Sequence, residues 1–122
     1  MSTVIDTTRL IEEIEELAGF SDTPYPSVTR VLFTDTDMRA REWLMHRMRA
    51  AGLMVRIDAV GNIFGRWEGE DPSAPAVATG SHCDAIPDAG RFDGVLGVLG
   101  GLEAIRALRE AGVRPRRSIE LI

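Results

Sequence analysis

The sequence has little cysteine, no excess of positive charge and no long apolar run. Its single cysteine, Cys83, excludes an internal disulfide, so nothing marks the chain as a secreted domain. Lys and Arg number 14 against 19 Asp and Glu, and the net charge of −5 argues against a binder of nucleic acid or anionic membranes. The apolar runs fall short of the roughly 20 residues that cross a bilayer, and the acidic N-terminal segment lacks a signal-peptide pattern. We expect a cytoplasmic protein with neither nucleic acid nor membrane as a partner.

Apolar spacing predicts helices within one domain, for which 122 residues and an apolar content of 44% are ordinary. Thr7 or Thr8 is able to cap the first helix, and glycines are able to end each of them. The predicted helices are residues 7–19, a second that follows Thr34 or Asp35 and stops at Gly52, and about 94–111.

Alternating or short apolar runs predict strands in the remaining segments. These runs are "LMVRID" (53–58), "GNIFGRWEG" (61–69), "PAVATG" (75–80) and "RRSIELI" (116–122). The run at 75–80 is bounded by Pro75 and Gly80 and is typical of a buried strand in a parallel sheet. Strand, helix and strand in succession form a crossover unit, which predicts an open α/β sheet.

The stretch "GSHCDAIPDAGRFDG" (80–94) follows the carboxyl end of that strand, where open α/β sheets bind ligands. On extended chain, His82 and Asp84 point to the same side. A neutral imidazole is a good ligand for zinc or manganese, and Asp84 is placed to fix its tautomer by accepting a hydrogen bond. A loop of this length is able to bring Asp93 back beside His82. The competing interpretation is an ordinary polar turn.

Two other features of the stretch favour structural roles. A cysteine nucleophile needs its base within hydrogen-bond reach, but Cys83 points away from His82 on extended chain, so we expect a small buried side chain. Gly94, Gly97 and Gly100 recur at helical spacing without a phosphate-binding pattern. We expect them to let the last helix pack closely against the sheet. His46 is expected on a helix surface.

With these residues in view, the chain resembles the dinuclear-metal amidohydrolases of the aminoacylase and zinc-carboxypeptidase superfamily. The closest resemblance is to the branch that cleaves carbamoyl-amino substrates: allantoate amidohydrolases, ureidoglycolate amidohydrolases and N-carbamoyl-L-amino-acid hydrolases. It rests on "TGSHCDAIPDAGRFDGVLGVLGGLEAIRALREAGVRPRRSIELI", "VTRVLFT", "AREW" and "VRIDAVGNIFGRWEG". The form "DAIP" is more similar to the ureidoglycolate and allantoate enzymes.

The resemblance implies the N-terminal part of a three-layer α/β/α metallohydrolase catalytic domain with a mostly parallel sheet, spanning residues 1–122. It implies two divalent ions, zinc or manganese, with His82 as a ligand of one and Asp93 bridging both. Asp84 is the implied catalytic-site partner of His82. A metal-bridging water would attack the amide or ureido carbon.

The same resemblance implies that several parts lie beyond Ile122. These are the glutamate general base, further metal ligands and the lid and dimerisation domain, so we expect this chain alone to be inactive and the full-length enzyme to be a homodimer. The expected function is hydrolysis of a C–N bond in ureidoglycolate, allantoate or an N-carbamoyl-L-amino acid. The alternatives are an aminoacylase or peptidase of the same superfamily, or a non-catalytic α/β module that binds one cation or none.

Overall fold

Helices form where the sequence predicts them. The computed structural model describes residues 3–122, and residues 1 and 2 of the predicted domain lie outside the described residues. The helices are α1 (Thr7–Ala18), α2 (Asp35–Ala50) and α3 (Val95–Glu110). Thr34 caps α2, since its side chain accepts a hydrogen bond from the backbone N–H of Asp37. The predicted caps of α1 are wrong, because the carboxylate of Asp6 accepts the bond from Arg9 N at 2.9 Å.

The α/β class is confirmed, but the sheet is mixed rather than mostly parallel. Four strands, β2 (Met54–Ile57), β3 (Ile63–Trp67), β4 (Val77–Thr79) and β6 (Ile119–Leu121), lie in the order β2-β3-β6-β4. The pairs β2–β3 and β3–β6 are antiparallel, and β4–β6 is parallel. Residues 58–62 between β2 and β3 are too few for a crossover, so these strands form a hairpin.

The predicted buried strand, β4, is exposed along its whole length. It is the outer strand of the sheet among the described residues, with β6 as its one neighbour. An apolar composition is typical of a strand that is covered on both faces. The composition alone does not show whether other strands or helices are present to cover this strand. The prediction of burial is therefore wrong for residues 3–122.

A second sheet of two strands was not predicted. It pairs β1 (Val28–Arg30) with β5 (Ala85–Ala89) in antiparallel fashion, with Val28 opposite Ala89 and Arg30 opposite Ala85. Strand β5 lies inside the stretch 80–94, which the sequence indicates as a loop. This pairing fixes the chain directly after Asp84.

The helices pack on one face of the larger sheet. In β3 the buried residues Ile63, Gly65 and Trp67 alternate with half-buried ones, and the buried side meets Met48 of α2 and Arg109 of α3. Helix α1 contacts both α2 and α3. The described residues thus form one helical layer on the sheet, and the other helical layer of the predicted three-layer arrangement is not among them.

A buried ion-pair group joins α1 to α3. Glu103 is fully buried and accepts from Arg9 Nη2 at 2.7 Å, Arg9 Nε at 2.8 Å and the backbone N–H of Asp6 at 3.1 Å. Burial by itself would raise the pKa of Glu103, but these hydrogen bonds outweigh it and hold the pKa below its ordinary value. Arg106 forms a second bridge to Glu13 at 2.7 and 2.9 Å.

The predicted close packing at α3 holds for one internal glycine but not for the other. A Cβ at Gly97 would lie 2.7 Å from Ser81 Cβ, and one at Gly101 would lie 2.8 Å from Leu121 Cδ1. At Gly100 there is no atom within 4 Å, so the packing role given to Gly100 is wrong. Gly101, one residue further, is the glycine that lies against β6.

Candidate metal centre

His82 lies at the end of β4, held by two contacts to one neighbour. Its Nδ1 is 3.1 Å from Asp84 Oδ1 and 3.1 Å from the Asp84 carbonyl oxygen. Both atoms are acceptors, so they favour the tautomer that carries the proton on Nδ1. The other ring nitrogen, Nε2, then keeps a free lone pair, which is the form that binds a metal.

Asp93 lies opposite that free nitrogen, eleven residues further along the chain. Its Oδ1 is 4.0 Å from His82 Nε2, and both side chains are more than half exposed. The backbone N–H of Asp93 donates to Gly90 O at 3.2 Å, so the turn before α3 brings the carboxylate back toward His82. The structure therefore brings His82, Asp84 and Asp93 together.

Gly94 makes this approach possible. It has φ of +71°, and a Cβ at this position would lie 2.5 Å from both His82 Nδ1 and His82 O. A carbon atom needs about 3.5 Å, so a side chain at position 94 would displace the imidazole. Gly94 was expected to pack against the sheet, but the structure places it against His82, the candidate metal ligand.

The donors fit a divalent ion, but their number is small. Zinc binds imidazole nitrogen and carboxylate oxygen at about 2.0–2.2 Å, so an unpartnered nitrogen and a carboxylate oxygen 4.0 Å apart are able to share one ion. Within residues 3–122, however, no group of three or more His, Cys, Asp or Glu is placed to hold a metal. The roles given to His82, Asp84 and Asp93 remain predictions.

Cys83 does not have the surroundings of a nucleophile. Its side chain is partly buried against the main apolar core. Burial is the largest cause that raises the pKa of its thiol above the ordinary value, which disfavours the reactive thiolate. His46 is exposed on α2, and no hydrogen bond or ion pair joins it to the described residues of the site.

A cleft of about 200 Å³ opens beside His82. One wall is residues 81–84, and the other includes Phe33, Arg41 and Asn62. Phe33 has φ of +64°, and its backbone N–H donates to Asp37 Oδ2 at 2.9 Å. These residues are not predicted as site residues from the sequence. They lie 20 or more positions before His82, and only the fold brings them to it.

Comparison with known proteins finds relatives over nearly the whole length of this chain. No family model matches the chain. A ureidoglycolate hydrolase of Arabidopsis thaliana is 58% identical over 118 residues, covering 97% of this chain and 25% of that protein. An N-carbamoyl-L-amino-acid amidohydrolase of Paenarthrobacter aurescens is 48% identical over 114 residues, covering 93% of this chain and 27% of that protein.

Solved structures give the same result. A crystal structure of AtUAH in complex with glyoxylate superposes with a TM-score of 0.97 at 57% identity, over 98% of this chain and 28% of that one. A hydantoinase/carbamoylase family amidase from Burkholderia ambifaria superposes with a TM-score of 0.94 at 43% identity, over 98% and 29%. The chain spans about a quarter of the length of the relatives it matches.

Among residues 3–122, no helix combines the length and apolar character needed to cross a bilayer.

Proposed function

Because the chain is a homologue of ureidoglycolate hydrolases and N-carbamoyl-L-amino-acid amidohydrolases, we propose that it is part of the catalytic domain of a metal-dependent amidohydrolase. The substrate class is a small carbamoyl-amino compound such as ureidoglycolate, allantoate or an N-carbamoyl-L-amino acid. The higher identity to the ureidoglycolate hydrolase, 58% against 48%, favours ureidoglycolate over N-carbamoyl-L-amino acids.

The observation that carries the proposal is the orientation of His82. A solvent-exposed histidine with no functional role has no need of two acceptors on one nitrogen and a carboxylate facing the other. That arrangement is what a metal-ligating imidazole requires. In the proposed site His82 Nε2 and the Asp93 carboxylate would hold zinc or manganese.

Each residue then has a stated task in hydrolysis. The bound ions supply a water of lowered pKa and polarise the substrate carbonyl. Asp84 keeps the proton on His82 Nδ1, which orients the ring and raises the basicity of Nε2. Gly94 leaves space for the ring. The cleft beside His82 has room for a small ureido compound, with Arg41 and Asn62 in its wall.

The test is an assay of the full-length gene product after metal removal and reconstitution. Zinc or manganese is added back, and release of ammonia is followed with ureidoglycolate, allantoate and N-carbamoyl-L-amino acids. Metal-dependent turnover that is highest on ureidoglycolate supports the proposal. A fully metal-reconstituted protein that turns over none of the three substrates refutes the proposal.

His82→Ala and His46→Ala form a matched pair for the same assay. We expect the change at His82 to lower both metal content and turnover. The change at exposed His46 removes the same imidazole from a helix surface and leaves both unaltered. Equal behaviour of the two variants contradicts the assignment of His82.

Two further expectations belong to the full-length protein. The resemblance supports a homodimer, which light scattering on the purified protein tests directly. The low cysteine content supports a cytoplasmic location, which fractionation of the source cell tests.

A further inference from the structure

Arg30 is a buried arginine whose guanidinium contacts backbone carbonyls instead of a carboxylate. The residue is 1% exposed. Its Nε donates to Cys83 O at 2.8 Å, and its Nη1 donates to Leu17 O at 2.9 Å and Phe20 O at 2.8 Å. Burial is the main cause that lowers the pKa of Arg30. The three hydrogen bonds offset part of the cost of burying this charge.

Arg30 holds the chain on both sides of Asp84, by its side chain on one side and by its backbone on the other. The Cys83 carbonyl belongs to the peptide that leads into Asp84, so the Arg30 side chain fixes the orientation of that peptide. The backbone of Arg30 lies opposite Ala85 in the β1–β5 pair. One residue therefore holds the positions before and after Asp84, while its remaining bonds join them to the end of α1.

The place of Asp84 decides the state of His82. Both acceptors on His82 Nδ1, the Oδ1 and the carbonyl oxygen at 3.1 Å, belong to Asp84. A displacement of the Asp84 backbone would move both atoms together. The ring would then lose the contacts that keep its proton on Nδ1 and its Nε2 directed toward Asp93.

We propose that Arg30 is a positioning residue of the candidate metal centre, which acts through Asp84 on the tautomer and metal affinity of His82. The inference rests on the proposed function only in taking His82 as a metal ligand. Lysine cannot substitute for Arg30, because an ammonium group lacks the planar fork of donors by which the guanidinium reaches separate carbonyl oxygens.

The experiment compares Arg30→Lys and Arg30→Met with Arg106→Met in the full-length protein. Arg106 is a matched control, since it is also a largely buried arginine with two short bonds, but to Glu13 between α1 and α3. The first readout is the His82 tautomer in the metal-free protein at alkaline pH, from long-range ¹⁵N–¹H correlation spectra. The second is the affinity for zinc alone, from competition with a chromophoric chelator, with the melting temperature of each variant measured beside it.

We expect both Arg30 variants to show a mixed His82 tautomer and a loss of zinc affinity of about 10- to 100-fold, the range for residues that support a ligand. Arg106→Met should keep the wild-type tautomer and affinity even at an equal loss of melting temperature. Wild-type values in a folded Arg30 variant, or an equal loss in Arg106→Met, overturn the proposal. So does failure of both Arg30 variants to fold, because Arg30 is then a general structural requirement.

These outcomes separate this inference from the proposed function. A wild-type protein that binds zinc but hydrolyses no ureido compound refutes the function, while tautomer and affinity still decide the role of Arg30. A wild-type protein that hydrolyses ureido compounds while the Arg30 variants keep their tautomer and affinity refutes only the role of Arg30.

Discussion

Substitution of Gly94 by alanine tests the geometry around His82 most severely. Two penalties add at this position. The backbone has φ of +71° and ψ of −46°, a sparsely populated conformation in which a non-glycine residue costs about 1–3 kcal/mol. The new methyl group would also lie 2.5 Å from His82 Nδ1 and O, so the ring and the backbone of His82 would have to move by about 1 Å.

Overpacking of this kind costs about 1–3 kcal/mol, so the total loss of unfolding free energy is about 2–6 kcal/mol. At about 4 °C per kcal/mol for a chain of this size, the melting temperature should fall by about 8–24 °C. Displacement of the ring should also separate Nε2 from Asp93. We therefore expect zinc affinity, measured by chelator competition below the melting temperature, to fall by at least about tenfold.

Gly112 provides the control. Its φ is +75°, but no atom lies within 4 Å of the Cβ that alanine would add. Gly112→Ala should therefore cost only the backbone term of about 1–2 kcal/mol and leave zinc affinity unchanged. If the two alanine variants have the same stability and the same zinc affinity, the close contact between Gly94 and His82 has no consequence and the reasoning fails.

Further predictions concern other parts of the chain. The pKa of Glu103 is lower in the folded than in the unfolded protein, so its contribution to stability is complete above the ordinary value of 4.5 and is lost as pH falls through the lower folded value. Urea unfolding between pH 7 and 3 should therefore show a decline in the free energy of unfolding that Glu103→Gln flattens. An equal decline in the wild type and the variant refutes this prediction. Gly100→Ala should raise the free energy of unfolding by up to about 1 kcal/mol, because alanine has the higher helix propensity and its Cβ would meet no atom within 4 Å. A lower free energy of unfolding would contradict this prediction. Cys83→Ser should leave full-length turnover largely intact, and its abolition in a folded protein would restore the thiol as a candidate nucleophile. Asp84→Ala should lower metal affinity about 10- to 100-fold, so unchanged affinity and rate would exclude its role.

Elements with a strong local signal could be predicted from the sequence. Helix α2 begins at Asp35, directly after Thr34, whose hydroxyl caps it, and β2 and β3 follow the alternation and turn residues of their segments. Sheet direction could not be predicted in the same way. Strand alternation is the same in parallel and antiparallel sheets, and only the short connection at 58–62 indicates a hairpin there.

Long-range pairing was beyond the reach of local patterns. Strand β5 contains Pro87 and Asp88, which indicate a turn, and its partner β1 lies more than 50 residues earlier. The candidate site divides in the same way. His82, Asp84 and Asp93 are recognisable from residue type and position after a strand, whereas Arg30 and Phe33 reach the site only through the fold.

The central claim is that His82 and Asp93 hold a metal ion. Its most direct test is a crystal structure of the zinc-loaded full-length protein, with diffraction data collected at the zinc absorption edge. We predict an anomalous peak about 2.0–2.2 Å from His82 Nε2 and from an Asp93 carboxylate oxygen. A zinc-saturated crystal with no anomalous density at these two atoms would contradict it.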